Sequence, residues 1–340
     1  MRTIQKDNQT ESIVSDPKND RPLPRLVWVL TDGKAGDEAQ CVGVAEALGV
    51  PYSVRRIAPR APFSWFLPHG PIDPKESERL PGSPIAPPFP DVAIASGRRA
   101  AAYLKRIKTA SGGQTFTVFL KDPRIGQDAA DVIWVPEHDQ LRGANVLVSP
   151  TSPHRFSGEK LQDLRAGADP DIDALPCPRI AVLVGGNSRH HRFEKDDVAE
   201  FTRGLSEWNK DQSAGFMITA SRRTPEGLKS ALKSFAQECG AIFWDGTGGN
   251  PMERFLAKAD AIVATADSTN MIGEAAATGK PIHVFRPSGG HAKIERFLAN
   301  LEKKGVIHPF PGPFKTTTYE PIDATPWIAQ DILRAFQDRT

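Results

Sequence analysis

Short unbroken apolar runs alternate along the chain with segments whose apolar residues recur every three or four positions. Leu26-Val27-Trp28-Val29-Leu30 is the first run, and Val42, Val44, Ala45 and Leu48 then form one stripe closed by Gly49. Runs of that length suit strands buried on both faces of a parallel sheet, and the stripe suits a covering helix that stops at a glycine. Strands expected over 52–57, 91–95, 115–120, 132–135 and 146–148, with a helix over 98–108, complete an α/β half. A second half repeats the pattern, with strands expected over 179–184, 215–219, 241–244, 261–264 and 281–285 and helices starting near Glu194, Pro225, Pro251 and Ser268. The expected fold is therefore α/β, with two Rossmann-like doubly wound domains facing each other.

Polar and proline-rich stretches set the expected boundaries. Residues 1–24 read as a disordered tail, 25–160 as the first domain, 161–178 as a linker, 179–315 as the second domain, and 316–340 as a segment whose last helix packs back on the first domain. That helix is marked by Ile328, Ile332, Leu333 and Phe336. Ten prolines between 58 and 90 interrupt the first domain with an irregular insertion, since proline cannot donate to a ladder or continue a helix. Within it, Phe63-Ser64-Trp65-Phe66-Leu67 either folds back on the core or forms a shallow patch for a membrane or an acceptor.

Composition narrows the class. Hydrophobic residues are 39% and charged residues 25%, which is ample apolar material for a folded chain of 340 residues. Lys plus Arg at 43 against Asp plus Glu at 41 leaves +2, too small an excess for a dedicated nucleic-acid binder. Cys41, Cys177 and Cys239 have no C-x-x-C spacing, so neither a disulfide framework nor a zinc site is expected, and the reading is a cytoplasmic protein. No secretory leader or membrane-spanning helix is expected either.

In doubly wound sheets ligands bind beyond the carboxyl ends of the strands. The first such loop, from Thr31 to Gln40, holds Gly33, Lys34 and Gly36 before a helix amino end, which favours an acceptor or a phosphate; Asp32 or Asp37 is the candidate base, with Glu38 beside them. After the first strand of the second half come Gly185, Gly186, Asn187, Ser188 and Arg189, read as a phosphate cradle of paired glycines and a guanidinium fork. Ser221 and Arg222 follow the next strand with the same chemistry. Asp267, Ser268, Thr269 and Asn270 open a later helix, where Asp267 or Ser268 is the expected cap, and Glu274 lies one turn on, placed to accept hydrogen bonds from vicinal sugar hydroxyls.

Other motifs fail. Between Gly273 and Gly279-Lys280 stand five residues instead of the four of a Walker A loop, and Pro281 replaces its Ser or Thr. Gly246-Thr247-Gly248-Gly249 lacks the third glycine of a dinucleotide fingerprint. His190 and His191 are adjacent rather than four apart, and Asp171-Ile172-Asp173 falls in the expected linker, so no metal is assigned.

Taken together, the segments DGKAGDEAQ, KDPR at 121–124, PEHD at 136–139, NVLVSPTSPHR, GGNSRHHRF, TASRRTP, GNPMERFLAKAD and ATADSTNMIGEAAATGKP resemble the mitochondrial fission "elongated mitochondria" family, over about 25–305. For bacterial members the resemblance implies a glycosyltransferase; for a plant member it implies recruitment of a dynamin-related protein. DSTNMIGEAAATGKP is also similar to the donor-site helix of GT-B glycosyltransferases, which implies Glu274 at the ribose of a nucleotide-sugar donor. The first domain would then present the acceptor and the second would hold the donor. One departure is that Asp37 and Ala39 stand where many relatives carry His and Asn.

The expected function is thus metal-independent sugar transfer from a nucleotide-sugar substrate, with no resident cofactor and no nucleic acid. The acceptor is unassigned, with a lipid-linked or membrane-proximal compound and a peripheral position on the inner membrane in view. A non-catalytic adaptor that recruits a protein partner is the alternative.

Overall fold

The computed structural model describes residues 23–339, so the expected tail over 1–24 lies outside the described residues except for its last two. In the first lobe the order is β1 (Val27–Thr31), α1 (Ala35–Ala47), β2 (Tyr52–Arg56), α2 (Phe63–Phe66), β3 (Val92–Ser96), α3 (Ala100–Ala110), β4 (Phe116–Leu120), β5 (Val132–Pro136) and β6 (Val146–Ser149). The strands pair in parallel in the order β2-β1-β3-β4-β5-β6. Every residue of β1, β3, β4 and β5 is buried, the pattern their unbroken apolar runs require when helices cover both faces.

The second lobe begins earlier than expected. α4 (Gly158–Ala166) and α5 (Pro170–Asp173) occupy the stretch read as a linker, and their Leu161 and Ile172 are buried in the second core with Phe255, Leu256 and Ile262. Asp173, the second acid of the D-x-D run, pairs with Lys258 and Arg179, a structural role. Then follow β7 (Arg179–Val184), α6 (Lys195–Gln212), β8 (Gly215–Ala220), α7 (Glu226–Cys239), β9 (Ile242–Trp244), α8 (Met252–Lys258), β10 (Ala261–Thr265), α9 (Thr269–Ala276), β11 (Ile282–Phe285), α10 (Ala292–Lys303), β12 (Ile307–Phe310) and α11 (Thr325–Arg339). This sheet is also parallel, in the order β12-β11-β10-β7-β8-β9. β12 was not expected because Pro309 interrupts it; at the outer edge of a sheet a missing N–H is tolerated. α10 carries Ile294, Phe297, Leu298 and Leu301 at helical spacing, a signal present in the chain but not read from it.

The protein is accordingly a pair of six-stranded parallel α/β lobes facing each other, the GT-B-like arrangement expected. In each lobe the strand order reverses at one point, between β1 and β3 and between β7 and β10. Crevices beyond the carboxyl ends of strands at such reversals are where doubly wound sheets bind ligands.

α11 packs on the first lobe. Ile328, Ile332 and Phe336 are buried among Val27, Val29, Val92 and Phe116 of the first lobe, and the Phe336 ring meets Phe116 edge to face at 5.9 Å. Truncating a fully buried isoleucine removes its transfer energy and leaves a cavity. Ile332→Ala is expected to lower unfolding free energy by about 2–5 kcal/mol in urea titration. A loss well below 1 kcal/mol would mean that α11 is peripheral to the first lobe.

Candidate functional site between the lobes

In the first lobe three loops meet at the β1/β3 reversal. Gly33 turns the chain after β1 with φ +83°, and its amide donates to Thr31 Oγ1 at 3.0 Å. The Asp32 side chain is only 2% exposed; Oδ2 accepts from Lys34 Nζ at 3.0 Å, while Oδ1 is buried with no hydrogen-bond partner. Asp37, in the first turn of α1, is bonded by Lys121 Nζ from the loop after β4. A Cβ at Gly97, after β3, would stand 3.1 Å from Asp37 Oδ2 and 3.8 Å from Asp32 Oδ1. Gly97 and Lys121 both have left-handed backbone, φ +91° and +93°, so the two carboxylates converge where a side chain is excluded and one lysine is held in a strained conformation. Glu38 turns aside to Arg56 at 3.0 Å.

In the second lobe the glycines do something other than expected. A Cβ at Gly185 would overlap the Asp267 carboxylate, and one at Gly186 would overlap the Arg223 carbonyl. The amides are spoken for: Gly185 N donates to Thr265 Oγ1 at 2.9 Å, Gly186 N to Asp267 Oδ2 at 2.9 Å, Asn187 N to Arg223 O at 3.1 Å and Ser188 N to His191 O at 2.9 Å. Asn187 Oδ1 accepts from Phe193 N, and Ser188 Oγ accepts from His190 N and His191 N. The loop is thus an internally closed turn and presents no amide cradle to a phosphate. Ser221 likewise closes its own turn, donating to Gly185 O at 2.6 Å and accepting from Arg223 N.

Asp267 is the knot. Its side chain is wholly buried, and it accepts from Gly186 N, Thr265 Oγ1 and Arg223 Nη2, tying the loops after β7, β8 and β10 together. It neither caps α9 nor is left for a ligand, and Ser268, at the capping position, makes no side-chain cap bond. This corrects the expected capping role of both residues. Arg223, which sequence reasoning passed over for Arg222, is the arginine that matters to the loop's shape.

What remains open lies at the amino end of α9. The Ser268 and Thr269 hydroxyls, and the Arg189 and Arg222 guanidinium groups, make no hydrogen bond among the described residues; both arginines are exposed. No acidic residue stands in the first turn of α9, so its orphan N–H groups and positive dipole end are unanswered. Glu274, one turn on, is half-buried and has no hydrogen-bond or ionic partner among the described residues; burial pushes its carboxyl up to about 8.

The two lobes touch at this point. Gly36 and Asn270, the second residues of α1 and α9, abut with a Gly36 Cβ position 3.0 Å from Asn270 Nδ2, and Gln40 Nε2 donates to Asn270 Oδ1 at 3.1 Å. A second contact joins the PEHD loop to α10: Asp139 pairs with Lys293, and the His138 ring meets Phe297 at 5.5 Å. Burial, with Lys293 nearby, pushes the His138 imidazole down to about 4, so this contact is made by a neutral ring.

Comparison with known proteins gives the family. The family model described as Mitochondrial fission ELM1 matches residues 35–336. The chain belongs to the mitochondrial fission ELM1 family. Mitochondrial fission protein ELM1 of Arabidopsis thaliana is 26% identical over 278 residues, covering 74% of this chain and 65% of the plant protein, so the match spans just under two thirds of that relative. An uncharacterized protein of Rickettsia prowazekii (strain Madrid E) is 26% identical over 331 residues, covering 84% and 90%. Among solved structures, UDP-GlcNAc 2-epimerase from Neisseria meningitidis superposes with TM-score 0.49 at 13% identity, covering 91% of this chain and 99% of that one. MurG of Acinetobacter baumannii superposes with TM-score 0.48 at 12% identity, covering 93% of each.

Two measurements check this site. Gly186→Ala must displace the Arg223 carbonyl and is expected to lower Tm and speed amide exchange across the loops after β7 and β8. Gly227→Ala, in α7 with open space at its Cβ, is expected instead to stabilise by about 0.5–1 kcal/mol through helix propensity. Equal effects would contradict the close approach described. For Glu274, the folded carboxyl near 8 lies above its ordinary 4.5. The unfolded chain releases that proton first as pH rises, so the group costs stability progressively from about 4.5 to 8 and by a constant amount above that. Glu274→Gln is therefore expected to raise Tm at pH 9 and leave it nearly unchanged at pH 4.5. The reverse ordering would mean that the carboxyl is solvated or paired.

Proposed function

We infer that the protein transfers a sugar from a nucleotide-sugar donor, held by the second lobe, to an acceptor presented by the first. The observation that carries the reading is the Glu274 carboxyl, desolvated and unpartnered one turn beyond the open amino end of α9. A carboxylate so placed suits the vicinal hydroxyls of a ribose, which would supply the hydrogen bonds it lacks. The adjoining helix end, with the Ser268 and Thr269 hydroxyls and the Arg189 and Arg222 guanidinium groups, suits a diphosphate.

In this reading the acceptor hydroxyl gives its proton to Asp32 Oδ1, the oxygen without a partner, while Asp37 is oriented by Lys121 beside it. The acceptor oxygen bonds to the anomeric carbon as the bond from that carbon to the phosphate oxygen breaks, and the nucleoside diphosphate leaves. Charge developing on it is met by prearranged N–H donors and guanidinium groups rather than by a bound cation. The Gly185–Ser188 amides, occupied within their own loop, take no part. A lipid-linked or membrane-proximal acceptor, reached from a peripheral position on the inner membrane, fits the same reading.

The adaptor reading has its own support. The plant relative is named for mitochondrial fission, and the closed glycine loop is as serviceable for a scaffold as for an enzyme. Isothermal titration with UDP-, GDP-, ADP- and CMP-sugars separates the two. Heat from a member of the panel is expected, abolished in Glu274→Ala that keeps wild-type circular dichroism. Silence across the panel from folded protein would overturn the transferase reading and favour the adaptor.

A further inference from the structure

The proline-rich insertion is an ordered structure with its own polar bracing. The Arg60 guanidinium grips Asp73 bidentately, Asp73 also takes the Lys75 amide, the Tyr103 hydroxyl of α3 bonds Glu76, and Arg106 of α3 pairs with Glu78. Leu67 and Ile85 are buried against the first core. The five-residue run at 63–67 therefore divides: Leu67 folds inward, whereas Trp65 and Phe66, just before it, are 70% and 61% exposed. The braced loop holds two large aromatic rings out in water, and a groove of about 1100 Å³ opens beside them between the insertion and the outer face of α3. Phe66 packs against Gly70, which lines the groove, and Leu80, 43% exposed, lines it too. Of the seven large apolar side chains exposed among the described residues, three belong to this one surface.

The charged side chains that line the groove have one sign. Arg79, Lys105, Arg106 and Arg124 line it and no carboxylate does. Glu78 answers Arg106 and Arg79 from behind, and Asp128 answers Lys105 at 3.3 Å; the Arg124 guanidinium has no partner among the described residues. Trp and Phe side by side with Arg and Lys flanking them are what the boundary of an anionic bilayer selects, the rings entering the headgroup layer and the cations staying at its surface. No helix among the described residues is long and apolar enough to cross a membrane.

We propose that Trp65, Phe66 and Leu80, with the basic groove of Arg79, Lys105 and Arg124, form a docking surface for an anionic lipid bilayer. This holds the first lobe against the membrane by shallow insertion. Docking lies near the candidate base site: Arg98 follows Gly97, where Asp32 and Asp37 converge, and donates to the Ser64 carbonyl of α2 at 3.4 Å. A molecule resident in the bilayer would thus be presented beside those carboxylates. The surface stands or falls independently of sugar transfer, since lipid binding needs no donor.

The test is sedimentation of the full chain with vesicles of phosphatidylcholine alone or doped with phosphatidylglycerol, without nucleotide. Wild type is expected to pellet with the doped vesicles, several-fold less with phosphatidylcholine, and less again at high salt. Trp65→Ser/Phe66→Ser is expected to lose pelleting at unchanged Tm. Arg79→Glu/Arg124→Glu, which keeps the aromatic rings, is expected to lose the preference for the anionic vesicles and guards against misfolding of the first variant. No pelleting of folded wild type, or equal pelleting of wild type and both variants, overturns the proposal. Capture by an acidic peptide but not by vesicles would assign the groove to a protein instead.

Discussion

Everything in the site depends on how closely the two lobes approach along α1 and α9. Gly36 faces Asn270, Gly273 faces Thr151, and a Cβ at Gly43 would overlap the His154 carbonyl, so small residues on both helices let the 151–154 segment lie between the lobes. The consequence is electrostatic. Two helix amino ends, each with a positive partial charge, are brought together at their second residues. α1 answers its own with Asp37 and Glu38, but α9 has no acid in its first turn. The seam therefore keeps an unbalanced positive end on the side of the second lobe. An anion is the partner that would restore the balance, and the meeting of the two helix ends is asymmetric: α1 carries two acids in its first turn and α9 none.

Asp267 explains why the open donors are those of α9 and not those of the glycine loop. A buried carboxylate must find donors, and this one takes the Gly186 amide, the Thr265 hydroxyl and the Arg223 guanidinium. Removing a Cβ at 185 and 186 is what lets the carboxylate and the Arg223 carbonyl close over the strand end. Glycine pairs after buried strands thus admit two readings, close approach of a ligand or close approach of the protein's own chain, and here the second holds. The loop then serves the site indirectly, by fixing where α9 begins.

Much of the fold was legible because parallel strands covered on both faces appear as unbroken apolar runs. The buried strands β1, β3, β4, β5, β7, β8 and β10 all lie where such runs stand. Edges and polar helices were harder. β12 carries Pro309, which argues against a strand unless its place at the sheet edge is known, and α4 is so polar that only its burial of Leu161 distinguishes it from a linker. Asp32, Asp37, Ser268, Thr269 and Glu274 were singled out from position alone, because they stand in or just after loops that follow strands of a doubly wound sheet, and they remain candidates. Lys121 and Arg223 were not, because their roles arise from side chains that reach across from other strands, and no local spacing records that. The glycine roles were invisible for the same reason.

Unpaired oxygen is the more informative signal once the structure is in hand. Buried or half-buried carboxylates elsewhere are matched: Asp73 to Arg60, Asp131 to Lys108 and Thr117, Asp169 to Arg254, Asp267 to three donors. Against that background, and among the described residues, Asp32 holds the one buried carboxylate oxygen without a hydrogen bond, and the Glu274 carboxyl has no partner. Asp32 directly follows β1 and Glu274 stands in α9, which follows β10, and β1 and β10 each flank the reversal of their own sheet. Leaving such groups unsatisfied costs stability, and a fold that pairs its other acids has the means to pair these. The lobes meet where Gly36 of α1 abuts Asn270 of α9, Asp32 stands in the loop before α1, and Glu274 stands one turn beyond Asn270; in the reading proposed above, Asp32 and Glu274 are the two groups that a bound ligand would complete.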